Sequence, residues 1–284
     1  MSKLITISQL KNKKFKNTII LVGQNTYKLK YVKKLISDFS QIFNCSLLIK
    51  RKGNPERKEI NLAFEKFKKK SIDSIICIGG GSVLDFGKIL SIAENKIKKI
   101  DLKKINPSQK KKLVAIPTTA GTGAEVTNTA VIYNQGIKYS IEHEYIRPDL
   151  YILSPQLVLN CPKSVKAGAI FDTYSQSIEA MLSKKSNNKS TNYSIKSLNY
   201  FKKYGLNYFK KPNLKNSKKM LEAANFSGKA INIARTTAPH ALSYNLSKIL
   251  NISHGFSIAL TFTDIMNFNY KLSDKKNIGR NINL

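Results

Sequence analysis

Three times in its first third, the chain alternates a short run of β-branched and aliphatic residues with a stretch of apolar residues at helical spacing. No other feature constrains its fold as strongly. Residues 18–22, TIILV, end at Gly23 and read as a buried parallel strand followed by a tight turn. Residues 28–43 then place Leu29, Val32, Leu35, Ile36, Phe39, Ile42 and Phe43 on one helical face. Residues 45–49 form a second strand, and Gly53, Asn54 and Pro55 supply the turn before a helical pattern over 59–70. A third strand, 74–78, runs straight into Gly79-Gly80-Gly81-Ser82, and 83–93 continue as helix. Strand, helix, strand, helix, strand, glycines, helix predicts a parallel sheet with crossover helices. A fourth strand, 113–116, leads into Pro117-Thr118-Thr119-Ala120-Gly121-Thr122-Gly123-Ala124-Glu125.

After Pro162 the strand-like runs stop. Helical patterns cover 163–183, 192–209, 221–234 and 241–250, and the Lys- and Asn-rich pieces 184–189 and 210–219 read as exposed loops. The expected organisation is an α/β dinucleotide-binding domain over 1–160 and an all-helical metal- and substrate-binding domain over 161–284.

A formal charge of +32 raises nucleic acid as a partner, but of the 49 basic residues only five are Arg: Arg51, Arg57, Arg147, Arg235 and Arg280. Bidentate phosphate contacts and base readout favour Arg. Lysines spread over the chain, with no aromatic-interleaved basic stretch, predict a solvated surface and no nucleic-acid partner. Cys45, Cys77 and Cys161 are odd in number and widely spaced, which leaves no disulfide framework and fits a reducing compartment. The N-terminus lacks an apolar leader core and the longest apolar runs are of strand length, so the expectation is a cytoplasmic protein with no membrane segment.

Two loops could hold a nucleotide. Gly79-Gly80-Gly81-Ser82 lies between a strand and a helix, where bare amides and the positive helix end favour an anion. It has neither the spacing of the common dinucleotide fingerprint nor a following Lys-Ser or Lys-Thr. Thr118, Thr119 and Thr122, with Gly121, give a hydroxyl-rich loop at the carboxyl end of another strand. Such a pair of loops is where an open parallel sheet takes its ligand. A second constellation suggests a metal. His240 and His254, two of three histidines, stand fourteen apart, while Asp172 and Gln176 share one helical face. One carboxylate, one amide oxygen and two imidazoles form a borderline donor set suited to Fe²⁺ or Zn²⁺.

These pieces together resemble the iron-containing, or group III, alcohol dehydrogenase family: GGGS with Asp85, PTTAGTGAE, GAIFDTYSQSIE over 168–179, and His240 with His254-Gly255. They stand in that family's order and spacing from Thr18 to about Phe268. The resemblance implies that Gly80, Gly81 and Ser82 hold a cofactor pyrophosphate and that Asp85 supports that loop. It further implies that Thr118, Thr119 and Thr122 line the phosphates and nicotinamide side, and that Lys138 lies near the ribose. Asp172, His240 and His254 match three of four family metal ligands, and Gln176 stands where His is usual. Tyr244 occupies a position near the substrate and, with the metal-bearing His240, would serve the chemistry. Gln176 and the run ARTTAPHALSYNL look most like the phosphonoacetaldehyde reductase branch, with Arg235, Thr236 and Thr237 as candidates for an anionic substrate group.

The expected activity is metal-dependent reduction of an aldehyde to a primary alcohol, phosphonoacetaldehyde to 2-hydroxyethylphosphonate in particular. A glycerol, polyol or simple-alcohol dehydrogenase is the alternative. Gly23, Gln24 and Asn25 follow the first strand without the carboxylate that would repel a 2′-phosphate, so NADPH is permitted beside NADH. A homodimer is the expected assembly. Relatives continue with further helices, so the helical domain reads as shortened, and an inactive truncated relative is a further alternative.

Overall fold

The computed structural model describes residues 2–93 and 110–271. It divides into two compact units, Met1–Thr118 with Ala124–Leu157, and Thr119–Gly123 with Val158–Leu284.

The first unit is built on a six-stranded sheet whose described pairings are all parallel. Its strands are β1 (Lys3–Leu4), β2 (Asn17–Gly23), β3 (Asn44–Lys50), β4 (Ser74–Gly79), β5 (Lys112–Pro117) and β8 (Leu150–Tyr151), and their order is β1-β8-β5-β4-β2-β3. Along β2, β4 and β5 the side chains alternate between two apolar layers. Ile19, Leu21, Ile75, Cys77, Leu113 and Ala115 face one layer. Ile20, Val22, Ile76, Ile78, Val114 and Ile116 face the other. Burial on both sides is why these strands read as unbroken aliphatic runs. The helices α3 (Lys30–Ser40), α4 (Arg57–Phe67) and α5 (Gly81–Ser91) cover the faces. The chain goes from β2 outward to β3, then returns to the other side of β2 as β4. The order therefore reverses between β2 and β4, the place where open α/β sheets bind ligands.

An antiparallel hairpin, β6 (Thr129–Asn134) and β7 (Ile137–Glu142), completes this unit. Its turn residues Gln135 and Gly136 both have positive φ, 51° and 76°, the two-residue geometry that matches strand twist. Strand periodicity does not announce it, because β7 is mostly exposed.

The second unit is helical: α7 (Lys163–Leu182), α8 (Asn188–Lys210), α9 (Leu214–Ala234), α10 (Ala238–Ile249) and α11 (His254–Lys271). The segment 210–219, expected as a loop, is instead largely the start of α9. Asn213 accepts from the Asn216 amide at 2.9 Å while Asn216 accepts from the Asn213 amide at 2.9 Å. Asn187 and Ser190 form the same reciprocal cap on α8. Asparagines that look like loop composition are thus the caps that start two long helices. Among the described residues no helix is long and apolar enough to cross a membrane.

Candidate metal centre and cofactor loops

In the first unit, the glycine turn follows β4. Gly80 is the extended N-cap of α5, and a Cβ at Gly79 would stand 2.5 Å from Val83 Cβ, so the helix start can sit on the strand end only because residue 79 is glycine. The Thr118 amide donates to Gly79 O at 3.0 Å and pins the end of β5 beside it. Gly80, Gly81, Ser82 and Thr118 are thereby gathered at the carboxyl edge of adjacent strands. Asp85, expected to support the glycine loop, reaches the hairpin instead: its Oδ2 accepts from the Val131 amide at 3.0 Å, and its Oδ1 lies 3.5 Å from Lys88 Nζ. Lys88 is fully buried and donates to Thr127 Oγ1 at 2.9 Å and to Thr129 O at 2.7 Å. Lys138 lies on β7. Desolvation pulls its ammonium down to about 7, only partly opposed by the nearby charge of Asp85.

Thr119 and Thr122 belong to the second unit, so the hydroxyl loop is divided, with Thr118 on the first. The loop is fixed to the helices: Thr173 Oγ1 stands 3.2 Å from Ala120 O and 3.3 Å from Gly121 O. Gly123 has φ +59°, and a Cβ there would meet the Gly228 Cα at 2.5 Å, so two backbones touch where both residues are glycine.

The metal candidates meet inside the second unit. One α7 face carries Asp172, Gln176 and Glu179 at i, i+4 and i+7, each 3% exposed or less. Asp172 Oδ1 is 3.2 Å from His240 Nε2 on α10 and 4.0 Å from His254 Nε2 at the start of α11. The three ligating atoms all lie within 4.8 Å of one another. Two ligands on a divalent ion at ~2.0–2.2 Å with tetrahedral angles stand about 3.4 Å apart. The observed 3.2 and 4.0 Å bracket that separation, so the donor set fits a divalent ion of the Fe²⁺ or Zn²⁺ type.

Charge agrees. Burial alone would lower the His240 pKa, but the charge of Glu179 and the hydrogen bond to Asp172 outweigh it and raise it to about 9. Burial likewise works to raise Asp172, yet its hydrogen bond to His240 and the charge of His254 hold it below the ordinary carboxylate value. The pocket is built for a positive species.

The surroundings differ from the sequence expectation in two places. Gln176, expected to offer its amide oxygen to the metal, instead accepts from Ser227 Oγ at 2.9 Å, and its Nε2 donates to Asp172 Oδ1 at 3.0 Å. It braces the carboxylate. Thr237, expected near the substrate, spends both donors on Glu179: its amide at 2.6 Å and its hydroxyl at 3.0 Å reach Oε2. The other oxygen of Glu179 stands 2.6 Å from His240 Nδ1. Arg235 caps α9 with φ 70° and donates to Asn232 O at 3.1 Å. Tyr244 lies parallel to the His254 ring, at 4° with centroids 5.9 Å apart.

Glu179, Ser227 and Ser243 are contributors that residue patterns miss. Only the i+7 spacing of Glu179 from Asp172 could have drawn attention to one of them.

A parallel sheet with a glycine turn at its switch point, followed by a helical unit that gathers a carboxylate and two imidazoles, defines a nucleotide-type sheet joined to a metal-type bundle. Comparison with known proteins makes this specific. Residues 5–155 match the model of the iron-containing alcohol dehydrogenases, and 167–283 match that of the C-terminal domain of the same family. The chain belongs to the iron-containing alcohol dehydrogenase family.

Among its relatives, alcohol dehydrogenase 4 of Schizosaccharomyces pombe is 29% identical over 270 residues, covering 92% of this chain and 64% of the relative. A 1-propanol dehydrogenase of Citrobacter freundii is 30% identical over 200 residues, covering 69% of this chain and 52% of the relative. The chain thus spans between about half and two thirds of the length of these curated relatives. The iron-containing alcohol dehydrogenase of Thermococcus thioreducens superposes with a TM-score of 0.86 at 26% identity, over 96% of this chain and 76% of that one. Sulfoacetaldehyde reductase of Bifidobacterium kashiwanohense, solved with NAD⁺, gives a TM-score of 0.88 at 24% identity, over 97% of this chain and 77% of that one, a likeness of fold.

Proposed function

We propose that the protein reduces an aldehyde to a primary alcohol, using NADPH or NADH and a divalent metal. The observation that carries this reading is the convergence of Asp172, His240 and His254 within 4.8 Å. These three residues would hold the ion, which when bound supplies Lewis-acid polarisation of the substrate carbonyl. Gln176 holds Asp172 in place through its 3.0 Å hydrogen bond. Gly80, Gly81, Ser82 and Thr118 would bind the cofactor phosphates. As hydride reaches the carbonyl carbon, the product oxygen needs a proton, which Tyr244 or water would deliver.

Among aldehydes we favour one with a short chain and an anionic head, phosphonoacetaldehyde giving 2-hydroxyethylphosphonate. Arg235 is the cation offered for that head, beside the turn into α10. A glycerol, polyol or simple-alcohol substrate is the competing assignment. The test follows nicotinamide absorbance after chelation, with Fe²⁺ or Zn²⁺ restored, on phosphonoacetaldehyde and on uncharged aldehydes of equal length. Turnover should return only with metal, and Arg235→Ala should raise KM for the phosphonate alone. Equal preference for both aldehydes would remove the anionic-substrate assignment, and metal-independent turnover would remove the metal from the reaction.

Lys138 supplies a pH prediction. With its pKa near 7, it is charged below that value and neutral above it. If it lies against the cofactor, nucleotide affinity should fall as pH rises through about 7, because the attraction to an anionic ligand is lost with the proton. Fluorescence titration of the reduced cofactor across that range should show the slope in the native protein and a flat profile in Lys138→Met. An identical slope in both would take Lys138 out of the cofactor site.

A further inference from the structure

The two imidazoles of the metal centre have something in common that their ligand role does not require. In each, Nε2 faces Asp172 Oδ1 while Nδ1 faces an acceptor supplied by a different residue. For His240 that acceptor is Glu179 Oε1 at 2.6 Å, from a side chain with no exposed surface. For His254 it is Ser243 Oγ at 3.3 Å. A serine hydroxyl has one proton, and Ser243 gives it to His240 O at 2.6 Å, so toward His254 Nδ1 it can only accept. Each ring then carries a proton on Nδ1. Any second proton sits on Nε2 and faces Asp172 Oδ1, and an ion bound there would replace it, so the Nε2 lone pairs of both rings are left for the same cation.

We propose that Glu179 and Ser243 are positioning residues that hold His240 and His254 in the Nδ1–H tautomer and so pre-set both Nε2 atoms for one cation. This rests on the metal reading above and adds what prepares the site for the ion. Partners of metal-bound histidines fix the tautomer and ring orientation, and losing one typically lowers metal affinity about 10- to 100-fold. Glu179 is the stronger of the two. Its second oxygen also holds the Thr237 amide and hydroxyl, so the same carboxylate fixes the start of α10, on which His240 lies.

The third histidine provides an internal reference. The Tyr145 amide donates to His143 Nδ1 at 3.1 Å, so that ring carries its proton on Nε2. With three histidines in the chain, ¹⁵N-histidine labelling gives three ring systems to assign. In the Zn²⁺-loaded protein, His240 and His254 should be protonated at Nδ1 and metal-bound at Nε2, and His143 should be metal-free and protonated at Nε2. Coordination of either ring through Nδ1 would overturn the proposal.

The second measurement is Zn²⁺ affinity of the apoprotein by competition with a chelating dye. Glu179→Gln should weaken binding about 10- to 100-fold. Ser243→Ala should weaken it less, as the longer bond implies. Ser247→Ala is the structural control: it removes the 2.6 Å bond to Ser257 between α10 and α11 without touching a ring, and should leave affinity unchanged. Native affinity in both Glu179→Gln and Ser243→Ala would overturn the tautomer assignment while the metal reading stands. A native protein that binds no Zn²⁺ would end both.

Discussion

Asp172→Asn is expected to reduce turnover roughly a thousandfold or more, since Lewis-acid polarisation contributes several kcal/mol and each ~1.4 kcal/mol is tenfold in rate. The substitution keeps the shape of the side chain and replaces an anionic oxygen by a weaker neutral donor. That oxygen faces His240 at 3.2 Å, His254 at 4.0 Å and the Gln176 amide at 3.0 Å, so it is the one atom all three side chains share. Metal affinity should fall with activity. Cofactor affinity should not change, because the proposed phosphate contacts at Gly80, Gly81 and Ser82 belong to the first unit. Steady-state rates at saturating cofactor, read beside the bound metal per chain, test both halves. A loss of less than about tenfold would show that Asp172 is not the anionic ligand of a catalytic ion.

Gly255→Ala should damage the site without altering any ligand. A Cβ at Gly255 would stand 2.6 Å from the Gly168 Cα and press on that residue's carbonyl, so α11 must move away from α7. Overpacking of this kind costs about 1–3 kcal/mol. His254 is the preceding residue, and Asp172 follows Gly168 by one helical turn. The shift therefore separates two of the three ligands directly. A misplacement of about 1 Å can lower catalytic efficiency about 100-fold. Gly205→Ala is the comparison, since its added Cβ would meet side chains alone, the Phe201 ring at 3.3 Å and Ile170 Cγ2 at 3.9 Å, and should be close to neutral. Thermal unfolding and Zn²⁺ titration of both variants separate the outcomes. Native metal affinity in Gly255→Ala would mean that the contact sets packing and not the position of His254.

The parts of this molecule visible in the sequence are those whose cause is local. Strands β2, β4 and β5 have apolar centres because both faces are covered, and the glycine turn follows β4 because α5 must begin against it. Asp172, His240 and His254 were legible as donor types, and the structure brings them together. The supporting shell was not. Glu179, Ser227 and Ser243 act through bonds between helices, and nothing in the spacing of a lone serine tells which ring or amide it will meet. Thr237 is another case: its hydroxyl suits an anionic substrate, and in the structure it donates to the buried carboxylate of Glu179. Asp85 likewise lies beside the glycine loop in sequence yet bonds to a hairpin more than forty residues away.

The pentapeptide Thr119–Gly123 is held by Thr173 and closes against Gly228, so the helical unit is assembled from two separate pieces of chain. Cutting near residue 158 would give a C-terminal fragment without one of its own parts, leaving Thr173 only the Ala169 carbonyl of its own helix and the surface at Gly228 bare. The second unit is therefore not a module that can be lifted out by one cut. Dissection, circular permutation or the grafting of its metal centre elsewhere would have to carry that short stretch along.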